Sequence, residues 1–210
     1  MEILKKSILI ILIAVFVINP FKPANSQNYN VLQEAFLNSY KRENKAEYTK
    51  AIDTLKAVYL ADSYEINLRL GWLNYKAGLF TESTAYYQKA IALKPYSIEA
   101  HFGYTYPASA LGNWEQVSTQ YIEVLKIDPQ NTIANYKLGL IYYGKKDYST
   151  AQKYFEKVVN LYPFDYDSVI MFAWTNFKLG NLREAKVLFN KALLNKPGDS
   201  SALDGLKLIK

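Results

Sequence analysis

The 210-residue chain has no cysteine. That excludes disulfides, thiol chemistry, cysteine-ligated zinc and the lipid-bearing cysteine of a bacterial lipoprotein. Histidine is almost as scarce: His101 stands alone, so neither a histidine cluster nor a His-x-x-x-His metal pair can form. There is no glycine-rich phosphate loop and no block of one charge. Lys145-Lys146 and Lys41-Arg42 are short pairs that read as solvated turn charges, not as a phosphate track. The acidic pair Asp165 and Asp167 follows a proline, where solvated carboxylates and helix caps account for it, and nothing in the sequence buries or orients it for acid–base work. The expectation is therefore a protein without catalysis, metal or cofactor.

An uninterrupted apolar run, Ile8 to Ile18, lies near the N-terminus behind Lys5 and Lys6. Pro20 and Pro23 break it, and Ala24-Asn25-Ser26 places small residues at the positions signal peptidase inspects. Residues 1–26 read as a secretory signal peptide, with cleavage after Ser26 and Gln27 as the mature N-terminus. The alternative is an uncleaved anchor, although the run is well short of the roughly 20 residues a spanning helix needs. Cleavage leaves no membrane span, and the expected location is the periplasm of a bacterium or its exterior. Removing Lys5, Lys6, Lys22 and Glu2, three positive charges and one negative, takes the net charge from +6 to +4. Export and the missing basic block both argue against nucleic acid.

What the chain does contain is a period. Pro95, Pro129, Pro163 and Pro197 follow one another at a single constant step. Tyr87, Tyr121, Phe155 and Phe189 keep the same step, as do Gly71, Thr105, Gly139 and Ala173, and Ala90, Val124, Val158 and Ala192. A further column holds Gly78, Gly112 and Gly180, with Lys146 as its exception. Asn113, Asp147 and Asn181 follow and are expected to cap helices, two of them with Gln116 and Glu184 at capping-box spacing. Each period reads as two amphipathic helices and a tight turn, clearest in Thr132 to Gly144 and Tyr148 to Leu161, and the proline ends the second helix.

This pattern resembles the tetratricopeptide repeat, a helix–turn–helix unit of about 34 residues. Leu138, Gly139 and Tyr142 match the family's first helix, and Ala151, Phe155 and Pro163 its second helix and end. Its early tryptophan is missing, the slot holding Asn67, His101, Asn135 and Val169; His101 is expected to pack between helices. The resemblance implies an all-α, right-handed superhelix of antiparallel helix pairs. Its units would be 64–97, 98–131, 132–165 and 166–199, after a degenerate unit within 27–63 with helices Val31 to Arg42 and Glu47 to Leu60. A lone helix in 200–210 would close the stack with Leu203 and Leu206 inward.

Carried onto this sequence, the family's inner positions imply a groove wall of Leu68, Trp72 and Tyr75 in one unit and Phe102 and Tyr106 in the next. Tyr136, Leu140 and Tyr143 follow, then Ile170, Trp174 and Phe177. Such an aromatic surface suits a protein or peptide partner. The competing reading is that these side chains are core. The family's carboxylate clamp of lysine and asparagine is not implied, since its slots hold Leu68, Phe102, Tyr136 and Ile170, then Trp72, Tyr106, Leu140 and Trp174. Pro107 falls inside a first helix, either as a tolerated bend absorbed at Gly103 or as a kink that shapes the groove beside Tyr106. Three roles stay open: a protein-binding scaffold in the cell envelope, a structural subunit of an envelope assembly using its convex face or ends, and a carbohydrate-binding groove.

Overall fold

The structure, a computed structural model, describes residues 29–209. The expected leader and its Ser26–Gln27 cleavage site lie outside the described residues. Within them every regular element is an α-helix: α1 (Tyr29–Glu43), α2 (Tyr48–Lys56), α3 (Tyr64–Lys76), α4 (Phe80–Leu93), α5 (Ile98–Ala110), α6 (Trp114–Ile127), α7 (Thr132–Gly144), α8 (Tyr148–Leu161), α9 (Tyr166–Lys178), α10 (Leu182–Asn195) and α11 (Ser200–Leu208).

Two local signals, each recurring at the step of the prolines, set this order. Side chains of Ser63, Ser97, Asn131, Asp165 and Asp199 open α3, α5, α7, α9 and α11 by accepting a hydrogen bond from a backbone amide in the first turn. Each satisfies one of the helix's free N-terminal amides. Between the helices of a pair, Gly78, Gly112 and Gly180 turn the chain at φ of 77°, 73° and 79°. This left-handed conformation costs glycine nothing and other residues about 1–2 kcal/mol. Lys146 adopts it too, at φ 62°.

The expected caps on the second helices are corrected. Asp147 does accept from the Thr150 amide, but Asn113 and Asn181 make no side-chain cap bond. The Asn181 side-chain amide instead donates to Asn176 Oδ1, and Gln116 Oε1 is occupied by the Tyr104 hydroxyl at 2.7 Å.

Packing rests on rings fitted against small residues. Tyr87, 3% exposed, is sandwiched between Gly71 of its own pair and Gly103 of the next. A Cβ at Gly103 would lie 2.2 Å from the Tyr87 ring. Phe155 meets Gly139 in the same manner, and Phe189 meets Gly205 of the closing helix. The core is therefore a series of clusters along the stack, around Leu55 and Leu70, around Tyr104 and Val124, and around Phe155 and Phe189.

Two further expectations are corrected. The second helix of the first pair stops at Lys56, and residues 57–60 form a turn from which Val58, Tyr59 and Leu60 fold inward. Tyr59 explains the change: its ring packs on Tyr86, and its hydroxyl donates to Asn67 and accepts from Lys89. In α11 the inward face is Ala202, Gly205 and Leu206, continued by Ile209 just past the helix, while Leu203 is 39% exposed. The helix lies so close to Phe189 that only small residues fit the contact, which rotates Leu203 outward.

Candidate functional site

Leu68, Trp72 and Tyr75 recur at i, i+4 and i+7 of α3, so they form one stripe, and Phe102 and Tyr106 do the same on α5. The structure brings them together. Ring centroids of Trp72 and Tyr75 are 5.8 Å apart, those of Tyr75 and Tyr106 5.5 Å, and those of Trp72 and Tyr106 6.1 Å. Phe80 extends the patch at 5.9 Å from Tyr75. Tyr106 remains 49% exposed. Beside the patch lies an open cavity of about 550 Å³, to which α1 contributes Phe36 and Tyr40. These two were not read from the sequence, because the first pair departs from the register of the others.

Beneath the patch runs a charged network that the sequence reading also missed. Arg69 is 7% exposed. Its Nη2 meets Glu43 at 2.5 Å as an ion pair without hydrogen-bond alignment, its Nε donates to Ser39, and its guanidinium lies 3.8 Å from the centre of the Tyr40 ring. Trp72 donates its indole N–H to the same Glu43. The signal available was a lone arginine inside the otherwise apolar stretch Leu68–Leu73. A buried pair of this kind adds little net stability, but losing one partner strands the other. Its effect is to hold α1 against α3 and fix the Trp72 ring.

At the rim, Glu65 pairs with Lys94 at 3.2 Å, and the Tyr64 hydroxyl reaches Ser97 and Glu99. Burial raises the Tyr64 phenol above its usual value, with Glu99 adding to the rise against the Ser97 hydrogen bond. Burial raises Tyr136 as well, helped by Asp167 and Asp165, while Glu65 is lowered, first by its own backbone amide. Each of these shifts carries its group away from neutral pH. The arrangement suits contact, not proton transfer.

Further along, the predicted residues separate. Tyr136 packs on Phe155 at 5.9 Å, Tyr143 packs on Tyr148 at 5.2 Å, and Leu140 lines a different hollow between α5–α6 and α7. Ile170 is corrected: at 7% exposure it lies in the core and offers no surface to a ligand. Trp174 is not among the residues that line the cavity beside Trp72 and Tyr106. It packs on Phe177 at 5.6 Å and Phe189 at 5.0 Å and donates to Ser201 of α11 at 2.8 Å, so it serves closure of the stack.

The slot of the missing tryptophan has a structural use. Asn67 donates to the carbonyl of Ala61 and Asn135 to that of Pro129, and His101 Nε2 meets the Pro95 carbonyl at 3.0 Å. One polar side chain thus pins the preceding turn in three successive pairs. His101 is 4% exposed, with Nδ1 at 2.6 Å from Gln120.

Models described as tetratricopeptide repeat match residues 42–98 and 142–208, and one described as TPR repeat matches 110–146. Among curated proteins, RNA polymerase-associated protein CTR9 of Caenorhabditis elegans is 25% identical over 171 residues. That stretch is 79% of this chain, and the chain spans 14% of the length of that relative. Among solved structures, a tetratricopeptide repeat protein from Parabacteroides merdae is similar with a TM-score of 0.73 and 22% identity, over 86% of this chain and 72% of that one. MamA is similar with a TM-score of 0.70 and 21% identity, over 80% and 93% of the two chains. YrrB, a TPR protein with an unusual peptide-binding site, gives a TM-score of 0.64 and 20% identity over 77% and 81%.

Proposed function

Because this chain is built of tetratricopeptide repeats, stacked as a right-handed superhelix of antiparallel helix pairs, we propose that it is a non-catalytic scaffold that binds a protein or peptide in the groove of its first helices. One observation carries the reading: Trp72, Tyr75 and Tyr106 touch as a continuous aromatic patch, half open at Tyr106, beside a cavity of about 550 Å³. An exposed patch of this kind marks a contact surface, and tyrosine and tryptophan are the residues on which binding energy concentrates. The peptide-binding site of YrrB supplies a precedent for ligand capture on this fold. The leader expected at residues 1–26 supports a place for the scaffold in the cell envelope. Intact mass of the protein from its host should begin at Gln27, and retention of residues 1–26 would remove that support.

The groove is tested with Tyr106→Ala, since Tyr106 is the anchor with least structural duty. The mature protein is used to retrieve partners from envelope extract, and affinity is then compared between wild type and variant. Affinity should fall about tenfold or more while the melting curve barely moves. A variant that binds and melts like wild type would move the contact elsewhere. The structural-subunit reading then takes over, favoured by the apolar side chains that α10 and α11 leave exposed, Val187, Leu194 and Leu208 at 56%, 74% and 58%.

A further inference from the structure

At the twelfth position of the first helices, α3 has Tyr75, α7 has Tyr143 and α9 has Phe177, but α5 has Ser109. In two of the other pairs this aromatic holds the first ring of the second helix, Tyr75 against Phe80 at 5.9 Å and Tyr143 against Tyr148 at 5.2 Å. Trp114 occupies the matching place on α6. With serine opposite, no ring packs on it among the described residues, and it is 53% exposed. The neighbouring helices reflect the same gap: α3 packs closely on α5, whereas α5 does not on α7, and α6 meets α7 less extensively than α4 meets α5. What remains is a cavity of about 580 Å³ walled by Trp114, Val117, Tyr121, Leu140 and Ile141.

Two cations stand at this apolar hollow, Lys137 and Lys145. Neither has a carboxylate partner among the described residues, and Lys145 reaches only the Tyr142 ring, at 5.7 Å. Ser109 lies one turn beyond Tyr106 on the same face of α5, so this separate hollow adjoins the aromatic patch.

From this we infer that the Ser109 vacancy is a specificity pocket for a partner polypeptide. It takes one large apolar side chain, replacing the ring that α5 lacks, and the lysines pair with a carboxylate next to that side chain on the bound segment. The inference rests on the groove reading and adds what the groove selects: an apolar residue beside Asp, Glu or a terminal carboxylate.

The probe is a random-peptide library displayed on phage, selected against the full-length protein. Enriched peptides should share the apolar-plus-acidic pattern. Their affinity should fall about tenfold or more on Ser109→Phe, which refills the hollow, and on Lys137→Glu, which reverses its charge, with wild-type melting in both. If Ser109→Phe does not fold, Lys137→Glu decides alone. Peptides that lack the acidic residue, or that bind the variants undiminished, overturn the pocket. Peptides sensitive to Tyr106→Ala but to neither pocket variant leave the groove reading standing without it. Peptides indifferent to all three substitutions remove both, and a selection that enriches nothing overturns the pocket as well.

Discussion

Gly103 lacks a side chain because Tyr87 occupies the place where one would sit. The Tyr87 ring is held between two helices and is 3% exposed, so it has no open direction in which to yield. Gly103→Ala should therefore destabilise by about 1–3 kcal/mol, as overpacking of a rigid core does. Urea denaturation measures it, and an unchanged midpoint would mean that α4 and α5 have slack. Lys146 presents the opposite case, a side-chain-bearing residue in a glycine conformation with solvent around it. Lys146→Gly should stabilise by about 1 kcal/mol, the strain relieved exceeding the unfolded-state entropy gained. Both positions stood in view, Gly103 as the glycine next to Pro107's bend and Lys146 as the exception in a periodic column. The duty of Gly103 did not, because its partner ring belongs to the preceding helix, at a distance along the chain that no local pattern spans.

Among the elements, α11 is one whose cap is a titratable group. Asp199 caps it through the Ala202 amide at 2.9 Å and meets Lys196 at 3.5 Å. Its carboxyl is held below the usual value of 3.8, first by that amide, then by the Tyr166 hydroxyl and Lys196. A depressed folded pKa contributes stability that is present above the unfolded value and lost as pH falls through the folded one. Acid should thus loosen α11 at pH below about 3.8. Trp174, bonded to Ser201 of this helix, reports the event. In a Trp72→Phe, Trp114→Phe background its fluorescence should change over that acid window, and Asp199→Asn, which keeps a cap without the charge, should flatten the response. A response unaltered by Asp199→Asn would assign the transition to another carboxylate.

For the molecule as a whole, the pairing of α3 through α10 was legible because each column residue meets its repeat-mates in equivalent surroundings, so one spacing encodes one contact. Legibility ended where the surroundings stop repeating. Residues 57–60 turn inward because Tyr59 finds Tyr86 and Asn67, Ile170 is buried beneath neighbours that the family's inner positions do not describe, and α1 is tied on by Arg69 and Glu43 through a contact no other pair has among the described residues. Ser109 was readable as an odd column member, but its consequence depends on which ring it leaves alone. That consequence extends to cooperativity. In a solenoid, stability is a sum of unit terms and nearest-neighbour interfaces, and the interface that joins α5 and α6 to α7 is thinner than the one on either side of it, since α6 meets α7 less extensively than α4 meets α5 or α8 meets α9. Phe189 is fully buried on the C-terminal side of this seam, and Phe189→Ala should cost about 3–5 kcal/mol. That loss should fall unevenly. Hydrogen exchange followed by mass spectrometry should show α7 to α11 losing protection while α1 to α5 keep theirs, because the seam transmits little of the destabilisation. Equal loss of protection from α1 to α11 would show that α6 and α7 alone couple the two halves fully, and the gap at Ser109 would then be a feature of the surface without a mechanical role.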